Sequence, residues 1–181
     1  MAGRRAVKVL LSGSFSTGKT TTLDSLKAAL ERRQVRAVVT VDPARRCPLP
    51  LDLHQTADTA HWLLGDLLVQ ESEAAAQADI DVVLCDGGPP DILTHTPVHD
   101  STLLALARAW QKTYDLVFWA RPDGARSIAA DDLRVLDEAY RQRIDDALPA
   151  AFAALGVIAY ELPHDSSDRV DVMLEKLGVR S

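Results

Sequence analysis

The residues Gly13-Ser14-Phe15-Ser16-Thr17-Gly18-Lys19-Thr20 close an apolar run and complete the pattern G-x-x-x-x-G-K-[ST]. Two glycines let the backbone turn tightly, so that successive N–H groups and the first turn of a following helix point at phosphate oxygens. Lys19 adds a point charge for the terminal phosphates, and the Thr20 hydroxyl can join a Mg²⁺ shell. Ser14, Ser16, Thr17 and Thr21 complete the residues read as a nucleotide-phosphate cradle. The bland reading is a glycine-containing turn with an incidental lysine. It does not account for an apolar run before the loop and a helical pattern after it.

Other residues could act beside such a loop. Val82-Val83-Leu84-Cys85 ends in Asp86, an acid that can hold Mg²⁺ directly or through water. Its alternative is a turn residue before Gly87-Gly88. No Glu follows Asp86 to activate water, and no [NT]-K-x-D guanine-reading motif is present, which disfavours a hydrolytic ATPase and a Ras-like GTPase. Asp42, in Val41-Asp42-Pro43, can accept the proton of an acceptor hydroxyl as a phosphoryl group moves, or simply form an Asp-Pro turn. Arg45 and Arg46 are either acceptor anchors or solvated surface. Asp91, His95, His99 and Asp100 are candidate pocket lining, with Asp91 read as substrate-binding; Pro97 between the histidines argues against a helical zinc pair.

Arg121, Arg126 and Arg134 open the densest basic segment, which continues through Arg141 and Arg143. Arginines on a lid over about 121–134 would put positive charge on a transferring phosphoryl group and exclude water. The interleaved acids Asp137, Glu138 and Asp145 offer the alternative of a salt-bridged exposed helix.

Positioning these residues requires strands that end together. Five short apolar runs read as strands: Val7–Leu11, Ala37–Val41, Ile80–Cys85, Leu116–Trp119 and Val157–Tyr160. They lack clean alternation, as parallel strands covered on both faces do. Helical stripes lie between them: Thr20–Arg33; Ala60, Leu63, Leu64, Leu67 and Leu68; and a segment from Asp100 to about Lys112. Leu133, Leu136, Tyr140, Ile144 and Leu148 make a further stripe, interrupted or restarted at Pro149, and Ser166 or Ser167 caps a last helix that Gly178 closes. The expectation is a doubly wound α/β domain spanning residues 1–181, with ligands beyond the carboxyl ends of the strands.

The 181 residues are 47% hydrophobic and 25% charged, ordinary for a globular chain. A formal charge of −6 disfavours nucleic acid or anionic membrane as the main partner. Cys47 and Cys85 are too few for a disulfide framework, Cys85 reads as core, and Trp62 and Trp110 read as core or pocket wall. No apolar stretch is long enough to span a bilayer, so a cytoplasmic location is expected.

Taken together, the phosphate loop, the acid-Pro pair after the second strand, Asp86-Gly87-Gly88-Pro89-Pro90-Asp91-Ile92-Leu93 and the arginine-rich segment resemble the P-loop kinase branch. The chain is most similar to kinase-like domains related to the ribosylnicotinamide kinase portion of bifunctional nicotinamide-nucleotide adenylyltransferases, and more distantly to deoxynucleoside and thymidylate kinases. The resemblance implies a five-stranded parallel sheet in the order 2-3-1-4-5, with ATP as donor, Mg²⁺, and γ-phosphoryl transfer to a small-molecule acceptor. It implies phosphate binding by Gly13 to Thr20, acceptor contact by Asp42, metal contact by Asp86 and a lid carrying Arg121, Arg126 and Arg134. Many relatives carry Arg after the third-strand acid, where this chain has Gly87. The competing function is a nucleotide-dependent switch or assembly ATPase acting with a protein partner.

Overall fold

The computed structural model describes residues 5–95, 101–122 and 137–179. Five parallel strands, β1 (Val7–Ser12), β2 (Ala37–Val39), β3 (Val82–Asp86), β4 (Leu116–Trp119) and β5 (Tyr160–Glu161), form one sheet in the order β2-β3-β1-β4-β5. The helices are α1 (Lys19–Glu31), α2 (Ala57–Ala76), α3 (Pro89–His95), α4 (Ser101–Gln111), α5 (Glu138–Leu155) and α6 (Ser166–Lys176).

The strands are apolar on both faces because helices cover both. Val9, Leu11, Leu84 and Phe118 pack with Leu23, Leu26 and Leu30 of α1 and Met173 of α6. Leu10, Val83, Cys85 and Val117 face the other way, against Leu148 and Phe152 of α5 and Ala74 of α2. In register, Leu11 stands beside Asp86, so the end of β1 and the last residue of β3 open into the same crevice. Among the described residues, no helix is long and apolar enough to cross a membrane.

Several expected boundaries move for identifiable reasons. β2 stops at Val39 because Gln70 of α2 takes over the main chain of Val41, donating to its carbonyl and accepting from its N–H. β5 starts at Tyr160, later than the apolar run, since only Tyr160 and Glu161 meet β4. The helix after it is capped by Asp165, whose carboxylate accepts from Ser167 N–H and Oγ, rather than by Ser166 or Ser167. α5 runs through Pro149 without restarting. Its stripe residues Tyr140, Ile144 and Leu148 are buried, while Leu133 and Leu136 lie outside the described residues. Helix α3 is unanticipated; it starts on Pro89-Pro90, where a missing N–H costs nothing in a first turn.

Candidate functional site

The phosphate loop leaves β1 at Gly13 and enters α1 through Gly18, its left-handed N-cap. A Cβ at Gly13 would lie 2.3 Å from the Ala120 carbonyl oxygen, so glycine is required where the loop passes the end of β4. Ser16 holds a positive φ of 56°, a conformation uncommon outside glycine that concentrates at ligand-binding turns. Thr17 Oγ1 donates to the Ser14 carbonyl at 2.9 Å and closes the loop on itself. The Lys19 ammonium donates to the carbonyls of Gly13 at 2.6 Å and Ser14 at 2.9 Å, spanning the loop's mouth.

Asp86 is buried, and its Oδ2 accepts from Thr20 Oγ1 at 2.5 Å. Its Oδ1 has no hydrogen-bond partner among the described residues. Burial pushes its carboxyl above the usual carboxylate range, against the pull of Lys19 and Thr20. A hard divalent cation would offset that burial penalty. The hydroxyl and the unpartnered carboxylate oxygen form an oxygen donor pair suited to Mg²⁺. Gly87 has φ +78°, where a side chain would be strained.

Asp42 accepts from Ala44 N–H at 2.9 Å and caps a single 3₁₀ turn, Pro43–Arg45. It is therefore a turn-forming residue, and it also lines the crevice. One pocket over the phosphate loop is bounded by Ser16 to Thr21, Arg45 and Asp86. A second has apolar walls of Leu51, Leu63, Leu67 and Ile92 and polar groups from Asp52, Gln55, Asp91 and His95. Phe15, Lys19 and Asp42 line both.

The remaining expected residues divide. The Asp91 carboxylate is enclosed, with Oδ1 accepting from Gly13 N–H and Oδ2 from Gly88 N–H, both at 2.8 Å, so it ties the phosphate loop to the exit of β3 while bordering the second pocket. Burial raises its carboxyl pKa, opposed by Lys19 and the two amides. Arg45 lies at the phosphate pocket, whereas Arg46 turns to Asp66 of α2 at 3.4 Å. Arg121 stacks over Trp119 and reaches Asp145 at 3.4 Å and Glu161 at 3.6 Å. Arg126, Arg134, His99 and Asp100 lie outside the described residues. Arg141 is buried and paired with Glu138, not displayed on an exposed basic face.

Sequence reasoning missed Gln55, Tyr140 and Arg169 as parts of this region, and it reached Asp52 only as one position of the segment Asp42 to Leu53 expected to build an acceptor pocket. Asp52 is buried with a φ of 54°, in a turn without periodicity. Tyr140, seen only as a core-stripe residue, stacks on Phe15 of the phosphate loop and hydrogen-bonds with His95 Nδ1 at 2.6 Å. Leu63 and Leu67 were legible as an apolar stripe, and what they line was not.

The strand order, the loop after β1 and the crevice define a P-loop nucleoside-triphosphatase fold of kinase type. Within that class the chain belongs to the AAA domain family, whose model matches residues 8–169. No curated protein matches the sequence. Among solved structures, NadR protein in complex with NR aligns at 20% identity with a TM-score of 0.72, covering 97% of this chain and 52% of the other. NadR in complex with NAD and AMP-PNP gives 0.68 at 20% identity, over 97% and 51%. Deoxyadenosine kinase from M. mycoides with bound dATP gives 0.64 at 13% identity, over 95% and 99%. This chain thus spans about half the length of the NadR structures, and these likenesses establish the fold, the one that the sequence resemblance implied.

Proposed function

We propose that this chain is an ATP-dependent small-molecule kinase that transfers the γ-phosphoryl group to a hydroxyl or phosphate of a nucleoside, nucleotide or metabolite of similar size. The observation that carries the proposal is the wall shared by the two pockets: Lys19 and Asp42 face both the phosphate loop and a second, partly apolar chamber. A pure hydrolase has no need of that chamber. The likeness to NadR protein in complex with NR and to a deoxyadenosine kinase with bound dATP supports the same reading.

In this reading the loop amides and the N-terminus of α1 hold the donor phosphates, and Lys19 turns from the loop carbonyls to the terminal phosphates. Thr20 and Asp86 would hold Mg²⁺, which supplies charge neutralisation on the phosphates when bound. Asp42 orients an acceptor hydroxyl and accepts its proton. Arg45 lies where it can meet phosphate. Arg126 and Arg134 are assigned to a lid over 121–134 from the sequence alone, and Arg121 serves by fixing the start of that segment through Asp145 and Glu161. The whole chain is one functional unit in this assignment.

The test is ADP release across a panel of nucleosides and hydroxylated metabolites. The right acceptor should raise the rate at least about a hundredfold, the usual scale of general-base assistance. Asp42→Asn should lose that acceptor-stimulated rate and still bind ATP. A fast rate without acceptor, unchanged in Asp42→Asn, would overturn the proposal, as would stimulation by a protein and by no small molecule.

A further inference from the structure

Arg169, in α6, is far from the phosphate loop in sequence and is only 1% exposed. A guanidinium keeps its charge at any ordinary pH, so burying it is costly unless its donors are met. Here they are met by main-chain carbonyls from three loops at the carboxyl end of the sheet. Nε donates to Pro163 O at 2.6 Å, after β5; Nη1 donates to Thr17 O at 2.6 Å, inside the phosphate loop; Nη2 donates to Arg121 O at 3.4 Å, after β4. One rigid planar fork therefore sets the spacing of three backbone segments.

The bond to Thr17 has a consequence for phosphate binding. The peptide joining Thr17 and Gly18 is trans, so its carbonyl and its N–H point in opposite directions. With the Thr17 carbonyl drawn toward α6, the Gly18 N–H is turned toward the pocket that Thr17, Gly18 and Lys19 line. The positive guanidinium also polarises that peptide, strengthening the N–H as an anion donor. On the other side of the loop Asp91 holds the Gly13 N–H, so the loop is gripped at both shoulders by opposite charges.

We infer that Arg169 is a positioning residue of the nucleotide site, which aims the Gly18 N–H at phosphate and ties the phosphate loop to the segment at Pro163. The inference rests on the nucleotide-binding part of the kinase reading but not on phosphoryl transfer. Lysine cannot replace it: an ammonium on a flexible stem is a compact point charge and does not span three carbonyls.

The test is calorimetric binding of Mg·AMP-PNP to Arg169→Lys and Arg169→Met, well below their thermal midpoints, with each midpoint recorded. Both variants should raise Kd at least about tenfold, lysine failing to rescue. A lower midpoint with Kd unchanged would show a merely structural role and overturn the inference. Should neither variant fold, the Nε–H resonance of Arg169 in the ¹⁵N-labelled natural chain decides. It should shift on adding AMP-PNP, and an unmoved signal at saturation refutes the assignment, as does a natural chain that binds no AMP-PNP. Tight AMP-PNP binding that Arg169→Lys weakens, without transfer to any acceptor, would sink the kinase reading and leave this one standing.

Discussion

Two buried acids sit against the same sheet, Glu71 of α2 beside Lys8 of β1 and Asp86 at the carboxyl end of β3, and their surroundings differ in kind. Near the amino end of β1, the Lys8 ammonium meets Glu71 Oε2 at 2.6 Å and donates to Thr113 Oγ1 at 2.7 Å. Glu71 also accepts from Trp110 Nε1 at 2.8 Å and from Tyr114 Oη at 2.7 Å. Lys8 lies over the rings of Trp110 and Tyr114 at 4.4 and 4.7 Å. Both carboxylate oxygens are therefore satisfied, and burial beside Glu71 drives the Tyr114 hydroxyl and the Cys85 thiol well above their usual pKa values. At the carboxyl end, Asp86 has one oxygen bonded to Thr20 and one bonded to nothing, and the buried hydroxyls of Ser14 and Thr22 are also unpartnered among the described residues. A cluster that answers its own charge stabilises the fold; one left partly unanswered is prepared for a ligand. The buried Gln111 amide is also unpartnered among the described residues.

The sharpest way to break this contrast is to unbalance the closed cluster. Lys8→Met leaves Glu71 as an uncompensated buried charge and should cost about 3–5 kcal/mol in denaturant unfolding. Turnover per folded molecule should stay within about twofold, since Lys8, Glu71, Trp110 and Tyr114 line neither pocket at the crevice. The double variant Lys8→Met/Glu71→Leu should recover most of the loss. If Lys8→Met instead altered nucleotide affinity, the separation of the two ends would fail.

Asp86→Asn should act with the opposite sign on stability. Because burial raises the folded-state pKa of Asp86, the folded chain binds more protons than the unfolded one above pH 3.8, and its stability contribution falls as pH rises through that raised value. Asparagine removes the penalty. Without Mg²⁺ or nucleotide, the variant should be more stable than the natural chain by about 0.5–2 kcal/mol at pH 7, with the difference shrinking toward pH 4. On the proposed kinase reading, magnesium-dependent transfer should be lost as well. A variant less stable at pH 7 would show that the Thr20 bond outweighs desolvation.

The smallest effect should come from Arg46. Its 3.4 Å pair with Asp66 is solvent-exposed on the arginine side and worth about 1 kcal/mol, so Arg46→Ala should unfold within about 1 kcal/mol of the natural chain and change the acceptor KM less than about twofold. A larger rise in KM would return Arg46 to the acceptor site.

These clusters also show what could be read in advance. Gly13 to Thr20 was legible because its chemistry is local: loop, lysine and hydroxyl are neighbours in the chain, and strand and helix patterns flank them. Asp86 and Asp42 were legible as acids closing apolar runs, since parallel strands bring their ends together. Glu71 gave no such signal, because its partners come from two distant segments, Lys8 from β1 and Trp110 and Tyr114 from the end of α4 and the turn after it. Helix α3 was hidden behind Gly87-Gly88-Pro89-Pro90, which reads as a turn yet supplies a helix start.

By itself, the sequence determined the α/β class, the strand order implied by resemblance, and the phosphate loop with its lysine and threonine. The class and the loop rest on periodicity and short-range spacing, which survive without coordinates, whereas the strand order came only from the resemblance. Only the tertiary structure decided that Arg46 turns away, that Arg121 is engaged by Asp145 and Glu161, and that Arg169 grips the loop from α6. The direction of a long side chain is set by which opposite charge or carbonyl packing brings within reach, and that information is not local in the chain.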